Sequence, residues 1–142
     1  LREQREIMNF IDAKGGTKRE REVAIATVEF MVKRLLPRFR TLDITVKFSK
    51  LDGVFGYCLA ETTREFELEI AKGLSLKNLV GTICHEMVHV KQYARKELHI
   101  NDYVWKKEEI DEKTPYTKLP WEVEAFAMED DLAREVWDAD IL

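Results

Sequence analysis

The chain has 142 residues, enough for one compact domain spanning 1–142 with a real core and too few for two. A composition 45% hydrophobic and 35% charged is that of a globular protein and excludes the disordered and fibrous classes. With 23 basic and 27 acidic residues the net charge is −4, so nothing pulls the chain globally toward nucleic acid or an anionic membrane surface.

No apolar run approaches the roughly 18 residues of a membrane-spanning helix, and no signal-peptide pattern opens the chain. Cys58 and Cys84 each lie in an apolar segment and read as reduced, buried thiols of a cytoplasmic protein.

Residues 2–13 read as a helix with Ile7, Met8, Phe10 and Ile11 on its apolar side, ended by Gly15-Gly16. Thr17 with Glu20 three residues on is a capping box opening a second helix, which Pro37 stops. Leu42, Ile44, Val46 and Phe48 alternate with polar residues, the period of a half-buried strand. A second strand runs over 54–60. In a third, over 65–70, Phe66, Leu68 and Ile70 oppose a solvent-facing row of Glu65, Glu67 and Glu69. Ser75 caps a long helix reaching about Glu97, residues 98–118 read as an irregular loop, and a last helix begins near Pro120 and ends near Trp137.

His85-Glu86-Met87-Val88-His89 is an HExxH motif, expected by chance in such a chain on the order of one time in a hundred. Four residues is just over one helical turn, so both imidazoles project from one face and can share a zinc ion. Glu86 lies about 100° around the helix, placed to take a proton from water at the metal and return it to a leaving amine. Leu76, Leu79, Ile83, Met87, Val90 and Ala94 form the apolar stripe of this helix, and the histidines lie on nearly the opposite side, as on a helix that floors a cleft. A catalytic zinc needs a third protein ligand. Glu122 and Glu124 flank the stripe of the last helix on opposite sides, so the wheel does not choose between them, and His99 is the third candidate. A phenol can stabilise a tetrahedral oxyanion, which makes Tyr116 and Tyr103 candidates for that role, with Tyr116 preferred. Trp105, Trp121 and Trp137 read as packing residues.

The stretch His85 to Gln92, followed by Leu119 to Phe126, resembles small bacterial and phage-type SprT-like or minigluzincin metallopeptidases. It is also similar to the E-x-E-A stretch of the ImmA/IrrE peptidases. The resemblance covers roughly residues 42–137. It implies an α+β zincin-like fold with N-terminal helices and a small, mostly antiparallel sheet. An HExxH helix then follows, and a C-terminal helix carries the third ligand. By position, the resemblance assigns that ligand to Glu124. SprT proteases themselves use a downstream histidine, which here would be His99. Thermolysin-like gluzincins orient a ligand histidine with an Asp four residues after the ligand Glu. Met128 stands there in this chain, with Glu129, Asp130 and Asp131 nearby. The implied activity is zinc-dependent peptide hydrolysis, with an extended peptide substrate paired along the strand at 65–70. The rival classes are a non-peptidase zinc amidohydrolase and a latent or inactive zinc-binding interaction module.

Overall fold

Residues 10–14 form a strand, where the sequence pattern suggested the second half of a helix. In the computed structural model, which describes residues 8–142, β1 (Phe10–Lys14) alternates exposed and half-buried positions and pairs in parallel with β2 (Asp43–Ser49). The apolar cluster there is too short for its period to separate helix from strand, and strand pairing decides the outcome. The earlier part of the expected helix, residues 2–7, lies outside the described residues.

The capping box at the head of α1 (Lys18–Leu35) is present in both halves. The Thr17 side chain accepts from the Glu20 backbone N–H, and the Glu20 carboxylate accepts from the Thr17 N–H. Gly15 and Gly16 both have positive φ, and a Cβ on Gly15 would stand 2.8 Å from the Phe48 carbonyl oxygen. Only glycine therefore lets the β1–α1 turn pass so close to β2.

β3 (Gly56–Ala60) and β4 (Glu65–Ala71) complete a four-stranded sheet in the order β1-β2-β4-β3. The sheet is mixed, and the expectation of a mostly antiparallel one is corrected. β1–β2 and β2–β4 are parallel, and only β3–β4 is antiparallel. The physical reason is the connection: α1 supplies the crossover that a parallel β1–β2 pair requires. β4 returns between β2 and β3, so it is an interior strand. Its register sets Phe66, Leu68 and Ile70 beside Ile44, Val46 and Phe48 on one buried face. Glu65, Glu67 and Glu69 lie on the other face, exposed or half-buried as their alternation suggests.

The buried face of the sheet packs beneath the helices. α2 (Leu76–Ala94) starts at Ser75, whose side chain accepts from the Asn78 N–H, and touches α1, β3, β4 and α3 (Pro120–Asp138). It is buried on every side from Ile83 to Val90, so its apolar stripe and its histidine face are both covered. Met87 and Ile83 are fully buried in the main core with Val28, Met31 and Leu68. Truncating Met87 to Ala is expected to cost about 2–5 kcal/mol of stability, read by urea denaturation. A loss within 0.5 kcal/mol would contradict this packing.

Residues 98–118 are more ordered than their composition suggests. They hold a two-stranded ribbon, β5 (Val104–Trp105) against β6 (Glu108–Glu109), turned by Lys106 and Lys107 at positive φ, and then a 3-10 turn at Tyr116–Lys118. The ribbon seats a second apolar cluster of Leu98, Leu119 and Trp121 with Tyr93, Trp105 and Ile110. That cluster fixes the entry of α3. No helix among the described residues is long and apolar enough to cross a membrane.

Candidate metal centre

α2 presents His85 and His89 one turn apart, and α3 brings a carboxylate to them. That carboxylate belongs to Glu122. Its Oε1 lies 3.1 Å from His85 Nε2 and 3.1 Å from His89 Nε2. One ligand atom from each of the three residues falls within 4.8 Å of the others, and all three side chains are buried.

The other ring nitrogens are occupied. His85 Nδ1 lies 3.2 Å from Glu129 Oε1 and His89 Nδ1 lies 2.7 Å from Gln92 Oε1. Glu129 and Glu122 only accept when ionised, so in the metal-free chain His85 donates to Glu129 from Nδ1 and to Glu122 from Nε2, and the Nε2 proton is the one a metal would displace. Two imidazoles and a carboxylate whose donor atoms converge at one point fit a metal ion, and the buried polar atoms around them already have partners.

The position of Glu122 follows from α3. Pro120 and Trp121 open the helix, and Glu122, Ala125, Glu129, Leu132 and Val136 recur at three- and four-residue steps. That spacing puts Glu122 and Glu129 on the same side as the buried Ala125, Leu132 and Val136. Glu124 lies two residues off this row. It bonds to Lys91 Nζ at 2.8 Å and to Gln92 Nε2 at 3.1 Å, and it does not join the histidines. The structure thus groups Glu122 with the two histidines, where the resemblance placed Glu124. His99 is exposed, outside this group, with its backbone N–H bonded to the Val104 carbonyl. Of Glu129, Asp130 and Asp131, Glu129 is the one bonded to one of the two histidines. Gln92 was not anticipated, although a residue three after His89 on one helix is within reach of its ring.

Glu86 is 7% exposed and lines two cavities that meet at the site. Burial raises its pKa, and the neighbouring His89 and His85 only partly offset that. One cavity, of about 350 Å³, holds His85, Glu129, Val54, Phe55 and Phe126. The other, of about 260 Å³, holds His89, Glu122, Cys58, Tyr93 and Trp121. Tyr116 lines both, 56% exposed, with its ring 6.3 Å edge-on from Phe126. Burial and the charge of Glu122 raise its phenol pKa. Tyr103 packs edge-on against Trp121 at 5.4 Å instead.

Both thiols are free. Cys84 is buried in the core, and burial pushes it up to about 12; Cys58 is only half-buried, where full burial was expected.

The strand bordering the cleft is β3. β4, the strand at 65–70, is paired on both sides and has no free backbone edge to offer, which corrects its expected role. Among the described residues no strand covers the outer edge of β3.

Burial alone would depress both imidazoles, but the hydrogen bonds and charge of Glu122, together with the charge of Glu86 and the hydrogen bonds to Glu129 and Gln92, outweigh it and hold them above their ordinary value. Burial would raise the Glu122 carboxyl, yet the two histidines bring it down to about 2. In the metal-free chain the Glu122 contribution to stability is therefore present above about pH 4.3 and fades as pH falls toward 2. The histidine contribution is complete below about pH 6.5 and fades as pH rises through the raised values. A metal ion must displace those protons, so its binding strengthens with pH, by up to about tenfold per unit for each proton released. The rise in Tm on adding one equivalent of Zn²⁺ is expected to be several degrees larger at pH 8 than at pH 5.5. Equal shifts in a thermal melt would contradict it. No protein-family model, curated protein or solved structure significantly matches the chain, so the site stands on its own geometry.

Proposed function

We propose that this chain is a zinc-dependent metallopeptidase with a zincin-like fold. The observation that carries the reading is the convergence of His85, His89 and Glu122 with Glu86 beside them, buried and bound to none of the three. Two imidazoles and one carboxylate are a donor set suited to catalytic zinc, which keeps a position free of protein. When bound there, zinc would polarise a water molecule and the scissile carbonyl.

The chain's own groups supply the rest. Glu86 takes the proton of the attacking water and returns it to the leaving nitrogen, a task helped by its raised pKa. A structural metal site has no use for such a base, which argues against an inactive binding module. Tyr116 stands over the junction of the two cavities, where its hydroxyl can donate to the developing oxyanion. An extended peptide would pair its backbone with the outer edge of β3 and lay its side chains in the two cavities. The apolar walls offered by Val54, Phe55, Phe126 and Trp121 suit a peptide better than a small polar amide.

The test is digestion of a broad peptide library by the zinc-loaded protein, with products sequenced by mass spectrometry. Internal cleavage that stops on chelation and returns with Zn²⁺ is expected. Hydrolysis of small amides with no peptide cleavage would move the protein to the amidohydrolase class.

A further inference from the structure

Glu124 and Gln92 are not ligands, yet they are tied to one. Gln92 is fully buried on the last turns of α2. Its Nε2 donates to the Trp121 carbonyl at 2.9 Å and to Glu124 Oε1 at 3.1 Å. Both partners only accept, so the amide has one workable orientation: turned over, its oxygen would face two acceptors. In that orientation Oε1 faces His89 Nδ1 at 2.7 Å, and a carbonyl oxygen there requires Nδ1 to carry a proton. The Nε2 of His89 is thereby the nitrogen that would offer its lone pair to a metal once the proton it gives to Glu122 is displaced, and it faces the point shared with His85 and Glu122.

The chain of contacts continues outward. Lys91 Nζ sits 2.8 Å from Glu124 and 2.8 Å from Glu97, all three side chains being largely covered. Glu124 is thus held between a cation and the Gln92 amide. The same contacts bind the last turns of α2 to the first turn of α3, the turn that carries Glu122.

We propose that Gln92, braced by Glu124 and Lys91, is the positioning residue that commits His89 to present Nε2 to the metal. Glu124 serves the site without touching the ion. This rests on the metal reading above, and zinc affinity separates the two.

The experiment uses the full chain, stripped of metal and titrated with Zn²⁺ against a chromophoric chelator. Long-range ¹H–¹⁵N spectra of the loaded wild type read the His89 ring directly. Gln92→Leu keeps the side-chain bulk and removes the amide. It is expected to bind one zinc with about 10–100-fold lower affinity, the usual cost of losing such a partner. Glu124→Gln keeps the volume and is expected to lose less, about 3–10-fold, also with one zinc per chain. The wild-type spectrum should show a protonated Nδ1 and a metal-shifted Nε2 on His89. A wild-type His89 coordinated through Nδ1 overturns the proposal whether or not the variants fold. So does unchanged affinity in Gln92→Leu, or loss of stoichiometric binding in Glu124→Gln, which would make Glu124 a ligand. A wild type that binds no zinc overturns the metal reading and this one with it.

Discussion

Replacing Glu86 with Gln is expected to lower kcat/KM for peptide hydrolysis by about 10²–10⁴-fold while one zinc per chain remains bound. The two parts of that outcome come from one geometry. Glu86 is outside the His85–His89–Glu122 group, so the ligand set survives the change. Gln has the same shape and can still accept a hydrogen bond, but it cannot take a proton from water. A neighbour with partial access could cover for a surface base, but Glu86 is buried at the meeting of the two cavities. Glu122 and Glu129 are committed to the imidazoles. Burial raises the Glu86 pKa, so its ionised, proton-accepting form is lost at a higher pH than for an exposed glutamate. The acid limb of the pH–rate profile in the wild type should reflect that. Metal content by elemental analysis beside kcat/KM reads both parts. Wild-type hydrolysis in the zinc-loaded variant would remove Glu86 from the mechanism.

How far the site could be read in advance differs among its residues, for physical reasons. His85, Glu86 and His89 lie within five residues of one helix, where the rise and rotation per residue determine their mutual placement. The carboxylate beside the histidines comes from another helix, and which one it is depends on how α3 is rotated against α2. The stripe drawn through Trp121, Ala125 and Met128 left that rotation open. Glu122, Ala125, Glu129, Leu132 and Val136 share the same helical spacing, and packing selects that row. The two glutamates on it meet His85 from both of its ring nitrogens. The resemblance to metallopeptidases pointed to Glu124, which stands outside that row.

The sheet divides in the same way. The capping box, β2 and β4 are local patterns, and they occur where the alternation and the Thr17–Glu20 spacing put them. Strand order is not local. The parallel β1–β2 and β2–β4 pairings depend on crossovers, and alternation along one strand says nothing about its neighbour. The consequence bears on the proposed function, because the free edge of the sheet beside the cavities belongs to β3 and not to the glutamate-rich strand. Tyr57 and Leu59, both exposed, would flank a peptide bound as proposed along that edge. Glu65, Glu67 and Glu69 stay on the outer face of an interior strand.

Glu122→Gln should be the most damaging single change to metal binding, because it removes the one anionic donor of the group. Structural zinc sites built from four ligands bind with roughly 10–16 kcal/mol, so the loss of one ligand corresponds to about 3 kcal/mol, or at least about a hundredfold in affinity. The same substitution has a second, metal-independent signature. Glu122 is the main influence holding His85 and His89 above their ordinary pKa against the opposing effect of burial. Without it, burial is opposed only by Glu86, Glu129 and Gln92, and both imidazoles shift toward the neutral form. At pH 5.5, below the unfolded histidine value, the metal-free variant must then give up protons on folding that the wild type keeps. Its stability deficit is expected to be large at pH 5.5 and to shrink by pH 8, where wild-type imidazoles lose their protons as well. Chelator competition measures the first effect, and urea denaturation of the metal-free proteins at the two pH values measures the second. A zinc affinity within a few-fold of wild type, together with a stability deficit independent of pH, would show that Glu122 merely packs beside the histidines. The ligand set would then have to be sought elsewhere on α3.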